Sequence, residues 1–453
     1  MAFEIDETHD PALESWIESA NDPQTDFPIQ NLPLCEFEVG DGDRSSFGVA
    51  IGDQILDLDA IGRTLLAADE RFAADVFGFD PIGAMSDPRT RAYMRKRLVQ
   101  LLSKDNPELR DDTALRAAAF VPRSEARFTA IPPHDFTDFY ASVHHATNVG
   151  SMFRPDNPLL PNYKWIPVGY HGRASSVVPT GTDIVRPRGQ QTPAEEGGAP
   201  SFGPSKMLDY ELEMGIVVGR GNELGTPVAM QQAEDHILGM CLLNDWSARD
   251  LQKWEYVPLG PFLAKSFAST VSPFIVTMEA LAPFRAPAFE RPAGDPAPLD
   301  HLDSDRNRAH GAVDITLEVY LSSEQMRQKN IEPIRLSRGT YRDMYWTLAQ
   351  MVAHHTSNGC NLQPGDLLGS GTVSGPARES RGCLLELTWD GDPFSDPPVS
   401  KPGTARTPIT LPTGEERTFL ADGDEVILKG FCQRDGYRRI GFGACRGIVR
   451  PSA

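Results

Sequence analysis

Asn244-Asp245-Trp246-Ser247-Ala248-Arg249-Asp250 follows an apolar run, Ile237 to Leu243, that reads as a buried strand. A buried strand that ends in Asn-Asp and then opens a polar helix delivers a carboxylate to a sheet edge. With Ser247 as the N-cap, Arg249, Gln252 and Tyr256 fall at i, i+3 and i+7 on one helical face. Two readings are open. One is a capped surface helix. The other is a site for a polar, anionic ligand, which accounts for Arg, Gln and Tyr in register beside a strand-end Asp.

Upstream lies Leu208-Asp209-Tyr210-Glu211-Leu212-Glu213-Met214, continuing into Gly215-Ile216-Val217-Val218. Strand side chains alternate faces, so Asp209, Glu211 and Glu213 share one face. The apolar continuation predicts a strand buried on both sides for part of its length. Carboxylates at i and i+2 repel there unless a cation compensates. Oxygen-only ligands select a hard cation, Ca²⁺ or Mg²⁺, over zinc. A half-exposed strand with a solvated acidic face is the alternative.

Ten histidines serve the whole chain, yet His134, His144, His145 and His171 crowd a segment rich in Asp138, Tyr140, Arg154, Tyr170 and Arg173. Imidazoles titrate near neutral pH, so this crowding leans toward chemistry. Farther on, Gly369-Ser370-Gly371-Thr372-Val373-Ser374-Gly375 precedes Leu384-Leu385-Glu386-Leu387, which reads as a strand with Glu386 set among apolar residues. The Gly-rich loop either cradles a carboxylate with backbone N–H groups or is a turn.

The remaining sequence bounds the answer. The chain has 453 residues and suggests two domains. Its net charge of −20 disfavours nucleic acid and anionic membrane surfaces. An anionic substrate is still compatible if Arg154, Arg249 and Lys265 reverse the sign locally. Six dispersed cysteines without a C-x-x-C pair read as reduced thiols of a cytoplasmic protein. The acidic Met1 to Asp10 has no apolar signal core, and no run reaches the length of a membrane helix.

Residues 33–59 read as short strands separated by turns at Gly40-Asp41-Gly42-Asp43 and Gly52-Asp53. Helical patterns follow at about 60–76 and 87–103, the second behind Ser86-Asp87-Pro88. A boundary is expected near 120–131. Beyond it, frequent Gly and Pro with short strands predict a mostly antiparallel β architecture with long loops. Segments at about 187–206, 283–311 and 390–408 read as surface excursions, and no internal repeat is seen. Gly219 to Gly225 lacks dinucleotide spacing, and Pro227 interrupts the expected helix. Phosphate-loop, zinc-protease and nucleophile-elbow motifs are absent. Asp422-Gly423-Asp424-Glu425 lacks the twelve-residue calcium-loop pattern and reads as a turn.

Taken in order, several segments resemble the fumarylacetoacetate hydrolase family across roughly residues 131–450. They are Asp138-Phe139-Tyr140, His145 to Gly150, Val168 to Ser176, Glu211-Leu212-Glu213, Asn244 to Phe267, His354-His355, Asn358 to Leu368, Asp422 to Val426 and Gly441-Phe442-Gly443. Trp254-Glu255-Tyr256-Val257-Pro258-Leu259-Gly260-Pro261-Phe262 is the most distinctive of them. The resemblance implies an α+β, mainly β fold. A small SH3-like β-barrel domain with helices (1–125) would precede a catalytic domain built as a β-roll of mixed sheets (126–453). It also implies a cytoplasmic homodimer.

The implied reaction is hydrolysis of a carbon–carbon bond in 4-fumarylacetoacetate to fumarate and acetoacetate, the last step of tyrosine and phenylalanine degradation. Carbon leaves only as a stabilised enolate, so a hard cation chelating the diketone suits the chemistry. The resemblance assigns Ca²⁺ to Asp138, Glu211, Glu213 and Asp245, and places Mg²⁺ beside Asp245, Lys265 and Ser269. It makes His145 the general base, held by Glu386, with Arg249, Gln252 and Lys265 stabilising oxyanion and enolate. Tyr140, Arg154, Tyr170, Gln252, Tyr256 and Thr372 match substrate-contacting positions. Two departures stand out. Ala268-Ser269 replaces an expected Gly-Thr, keeping a hydroxyl, and Val143-His144 differs just before His145. The rival readings are a decarboxylase, hydratase or isomerase of the same superfamily, which needs no base-activated water, and a non-catalytic binding or assembly protein.

Overall fold

Strands Leu212–Val218 and Ile237–Asp245 are buried at every residue and pair antiparallel from Leu212 opposite Asn244 to Val217 opposite Gly239. Apolar side chains on both faces of these strands require cover on both sides. They form the centre of an eight-stranded mixed sheet in a computed structural model that describes residues 4–39, 44–66, 81–130, 132–193, 195 and 197–452. Leu367–Gly369, Phe136–Phe139 and Gly169–His171 extend it on one side. Ser269–Val271 and Val177–Pro179 extend it on the other, and Val276–Thr277 also pairs with Ile237–Asp245. Two of its pairings are parallel.

A five-stranded sheet covers one face. Its order is Ile334–Thr340, Thr316–Ser322, Glu425–Cys432, Ile440–Arg450 and Ile184–Val185. Met240, Leu242 and Trp246 meet Leu317, Val319, Leu428 and Phe442 in one continuous core. The close approach requires Gly430, where a Cβ would lie 3.0 Å from both Leu242 and Leu317 side chains.

The N-terminal strands Leu34–Val39, Arg44–Ile51 and Gln54–Asp57 join Phe120–Pro122 and Arg127–Thr129 in an antiparallel five-stranded sheet. Its outer strands, Phe120–Pro122 and Arg127–Thr129, do not pair with each other among the described residues. Helix Pro88–Leu102 starts as expected: the Asp87 side chain accepts from the Arg89 N–H, and proline fills the first turn. Leu34 and Ile275 exchange backbone hydrogen bonds of 2.9 and 2.8 Å, joining this sheet to the large one. The turn at 40–43 and the portion of the expected 60–76 helix beyond residue 66 lie outside the described residues. All six cysteines are free. No helix among the described residues is long and apolar enough to cross a membrane.

Three local expectations are corrected. Leu384–Leu387 is a short helix, not a strand. Four residues carry no decisive period, and the Asp209 carboxylate settles the matter by accepting from the Leu384 and Leu385 N–H groups (both 2.9 Å). Ser247 is not a helix cap. It sits in strand Ser247–Ala248 opposite Asp209, donates to Glu211 Oε1, and leaves helix Arg249–Glu255 without a side-chain cap. The Leu208–Val218 strand is interrupted at Tyr210-Glu211, because Leu208–Asp209 pairs with Ser247–Ala248 instead. The 187–206 excursion contains a hairpin of Arg188–Gln191 with Ser201–Pro204.

Candidate functional site

One strand end, two near-terminal strand positions and a strand break bring four carboxylates together. Asp245 ends its strand opposite Ser269, and Asp138 lies in register with Gly369 and Tyr170. Glu211 occupies the break, and Glu213 is the second residue of the central strand Leu212–Val218. Oxygen atoms of Asp138, Glu211, Glu213 and Asp245 all lie within 4.8 Å of one another, and all four residues are buried. Gly369 makes the room: a Cβ there would meet Asp138 Oδ1 at 2.8 Å and Glu213 Oε2 at 3.0 Å.

Cations satisfy half of this charge. Lys265 Nζ lies 2.6 Å from Asp245 Oδ2 and 2.8 Å from Glu211 Oε2. Arg249 donates to Glu211 Oε1 at 2.5 Å and to Asp209 Oδ2 at 3.0 Å. Ser269 Oγ and the Tyr170 hydroxyl donate to Asp245 at 2.7 and 3.2 Å. Burial pushes the Glu211 carboxyl up, but Lys265 and Arg249 outweigh it and hold it well below the usual range. Asp138 and Glu213 go the other way: burial first, then neighbouring carboxylates, push both well above it. Asp138 Oδ1 and Glu213 Oε1 are buried without a hydrogen-bond partner among the described residues. Orphaned, oxygen-only, convergent donors fit a hard divalent cation.

The second constellation starts where strand Phe136–Phe139 leads into helix Val143–Phe153, whose N-cap Ser142 accepts from the His145 N–H. This cap fixes His145 on the first turn. His145 Nδ1–H donates to Glu386 Oε2 at 2.6 Å. Asn148, Ser374 and Cys383 also donate to that carboxylate, at 2.8, 2.8 and 3.2 Å. Burial raises the Glu386 carboxyl, yet His145 and these donors bring it down to about 2. An ionised carboxylate only accepts, so it fixes Nδ1 as the protonated nitrogen. Nε2 has no protein hydrogen-bond partner among the described residues and presents its lone pair. Tyr140, two residues past Asp138, sets its ring edge-on to His145 at 5.2 Å between centroids.

The other expected site residues divide. Gln252 Oε1 accepts from Arg249 at 3.3 Å, joining the cationic cluster. Thr372 is buried with an unpartnered hydroxyl, on the loop whose Gly371 N–H donates to Glu213 Oε2 at 3.0 Å. One N–H of the Gly-rich loop therefore meets a carboxylate, one of the protein's own. Arg154 and Tyr256 lie on exposed segments, and Arg154 donates to the Pro158 carbonyl. Asp209, Asn148, Ser374 and Cys383 were not singled out as partners. Their roles depend on contacts across the fold that spacing does not encode.

Both constellations lie within the residues that a family model matches. The family model "Fumarylacetoacetate (FAA) hydrolase C-terminal" matches residues 135–450, and "Fumarylacetoacetase N-terminal" matches residues 30–130. The chain belongs to the fumarylacetoacetate hydrolase family. Among its relatives, the fumarylacetoacetase of Bos taurus is 48% identical over 432 residues, covering 94% of this chain and 97% of that protein. The fumarylacetoacetase of Homo sapiens is 48% identical over 443 residues, covering 97% and 99%. A solved fumarylacetoacetate hydrolase from Exiguobacterium antarcticum is 18% identical, with a TM-score of 0.47 and coverage of 93% and 99%.

Proposed function

We propose that this chain is a hydrolase that cleaves the carbon–carbon bond of 4-fumarylacetoacetate, giving fumarate and acetoacetate, in the last step of tyrosine and phenylalanine breakdown. The observation that carries the reading is His145, bonded through Nδ1 to a buried, ionised Glu386 with Nε2 left free, beside a four-carboxylate cluster. A superfamily relative that decarboxylates or isomerises has no need of that base.

In this reading His145 Nε2 takes a proton from water, and the water oxygen bonds to the carbonyl carbon that becomes the new fumarate carboxyl. The bond to the neighbouring methylene carbon then breaks. Its electron pair leaves as the acetoacetate enolate, which takes the proton back from the imidazolium. Glu386 holds the imidazole orientation and stabilises its charged form. Arg249, Gln252 and Lys265 offer hydrogen bonds to the developing oxyanion and enolate, each such donor worth roughly 2.7–4 kcal/mol. Tyr140, Arg154, Tyr170, Tyr256 and Thr372 are the substrate contacts of this reading.

Asp138, Glu211, Glu213 and Asp245 would hold Ca²⁺, and Asp245, Lys265 and Ser269 lie where Mg²⁺ is expected. A bound cation supplies Lewis-acid stabilisation of the diketone oxygens. Lys265 and Ser269 both bond to Asp245 here, so the Ser at 269 retains the hydroxyl contact. The remaining assignments are a homodimer in the cytoplasm, a division into residues 1–125 and 126–453, an SH3-like N-terminal barrel and a C-terminal β-roll. Light scattering at micromolar concentration tests the dimer, and a single-chain mass rejects it. For the reaction, fumarate and acetoacetate forming one for one supports the proposal. Release of carbon dioxide, or an isomerised product without fumarate, rejects it.

A further inference from the structure

We propose that Glu255 is a positioning residue that seats Lys265 in the carboxylate cluster. The inference rests on the role given to Lys265 above. The chain between helix Arg249–Glu255 and Lys265 is unusual. Leu259 is 94% exposed, and Val257, Phe262 and Leu263 are each more than half exposed. The next two residues are withdrawn from solvent: Ala264 is buried completely, and Lys265 is only 6% exposed. An exposed apolar loop must therefore hand over, within a few bonds, to the ammonium that compensates Glu211 and Asp245.

Glu255 lies at that transition. Its Oε1 accepts from the Phe262 N–H at 2.9 Å and from the Ala264 N–H at 2.7 Å. The carboxylate bridges the helix end to the loop end and pins the residue immediately before Lys265. Two further ties complete the clamp. The Ala264 carbonyl accepts from the Ala248 N–H at 3.0 Å, and the Phe262 carbonyl accepts from the Lys265 N–H at 3.1 Å. The Ala264 methyl packs against Ala248 and against Leu251, the latter on the helix that carries Arg249. Arg249 and Lys265 are thus tied together twice, through the Glu211 carboxylate that both contact and through Glu255, which joins their helix to the loop ahead of Lys265.

The placement is electrostatically costly in isolation. A carboxylate in the last turn faces the negative end of the helix macrodipole. Charge-assisted bonds to two backbone N–H groups offset that cost and explain an acid at this position. Loss of the tie lets Lys265 drift, and displacement on the order of 1 Å costs about 10²-fold in rate. The remaining ties to Ala264 limit the drift, so the expected loss is between ~10-fold and ~10²-fold.

The test separates positioning from general damage. Glu255→Ala should lower kcat by that factor with a smaller change in KM. Calcium affinity, measured by titration calorimetry, should stay the same or tighten, since a displaced ammonium no longer competes for Glu211 and Asp245. Glu255→Gln keeps a carbonyl acceptor and should recover most of the loss. In the unmutated protein, amide exchange at Ala264 should be slow although its loop is exposed. The proposal is overturned by wild-type kcat in Glu255→Ala, by a glutamine variant as impaired as the alanine one, or by fast Ala264 exchange. Calcium affinity falling together with kcat also overturns it, as collapse of the whole site. Exchange and calorimetry require no turnover, so they judge this clamp even if the reaction assigned above is wrong.

Discussion

His145 Nδ1 lies 2.6 Å from Glu386 Oε2, a contact made across 241 positions of chain between two buried side chains. Such a pair acts as a unit. Glu386→Gln should slow turnover by misplacing the imidazole or its tautomer. The double variant His145→Asn, Glu386→Gln should lose far less than the product of the single losses. Multiplicative losses in steady-state kinetics would separate the two residues.

Lys265→Met removes the ammonium from between Glu211 and Asp245. Breaking a buried pair by deleting one partner typically costs 3–5 kcal/mol, so metal-free protein should lose about that much stability in denaturant titration. Added Ca²⁺ should restore much of it, because the freed carboxylates gain a cation. A Lys265→Met protein as stable as the parent without metal would show that the charges were never compensated by this lysine.

Gly369→Ala places a methyl 2.8 Å from Asp138 Oδ1 and 3.0 Å from Glu213 Oε2. One carboxylate must shift. Calcium affinity should fall at least tenfold, while circular dichroism shows the fold intact. Unchanged affinity would mean that these two oxygens are not ligands.

Two pH effects are expected, and both appear as losses on acidification. Asp138 and Glu213 hold their protons above the usual carboxylate range, so cation binding must release protons and should weaken as pH falls. The Glu386 carboxyl is shifted the other way, downward. Its folded carboxyl is held at about 2, so its stabilisation is present above the unfolded value, near ~4.3, and is lost as pH falls toward 2. Acid unfolding of Glu386→Gln should lack that component. At free metal 100-fold above its Kd, chelation should cost about 2.7 kcal/mol of stability and lower Tm. An unchanged Tm on chelation would remove the metal from the account.

The sequence exposes parts of this site unequally. Glu211, Glu213 and Asp245 are legible because alternation and a strand end are local signals. Asp138 emerges only through resemblance, since one acid in a short strand carries no pattern. Asp209 shares the alternation of Glu211 but serves a different end, capping Leu384–Leu387 and pairing with Arg249. The strand break at Tyr210-Glu211 causes this divergence, and no turn residue announces it. Asn148, Ser374 and Cys383 hold Glu386 through contacts set by tertiary folding. The N-terminal strands and the Asp87-capped helix were readable because turns and caps have their own chemistry.

The most direct measurement is fumarate release from 4-fumarylacetoacetate by metal-loaded His145→Asn beside the unmutated protein. The account predicts a kcat lower by roughly 10²–10⁴, the usual contribution of a general base, with calcium affinity unchanged because His145 is not a ligand. Hydrolysis at the unmutated rate in His145→Asn would contradict it, leaving the carboxylate cluster without the base that makes this site a hydrolase.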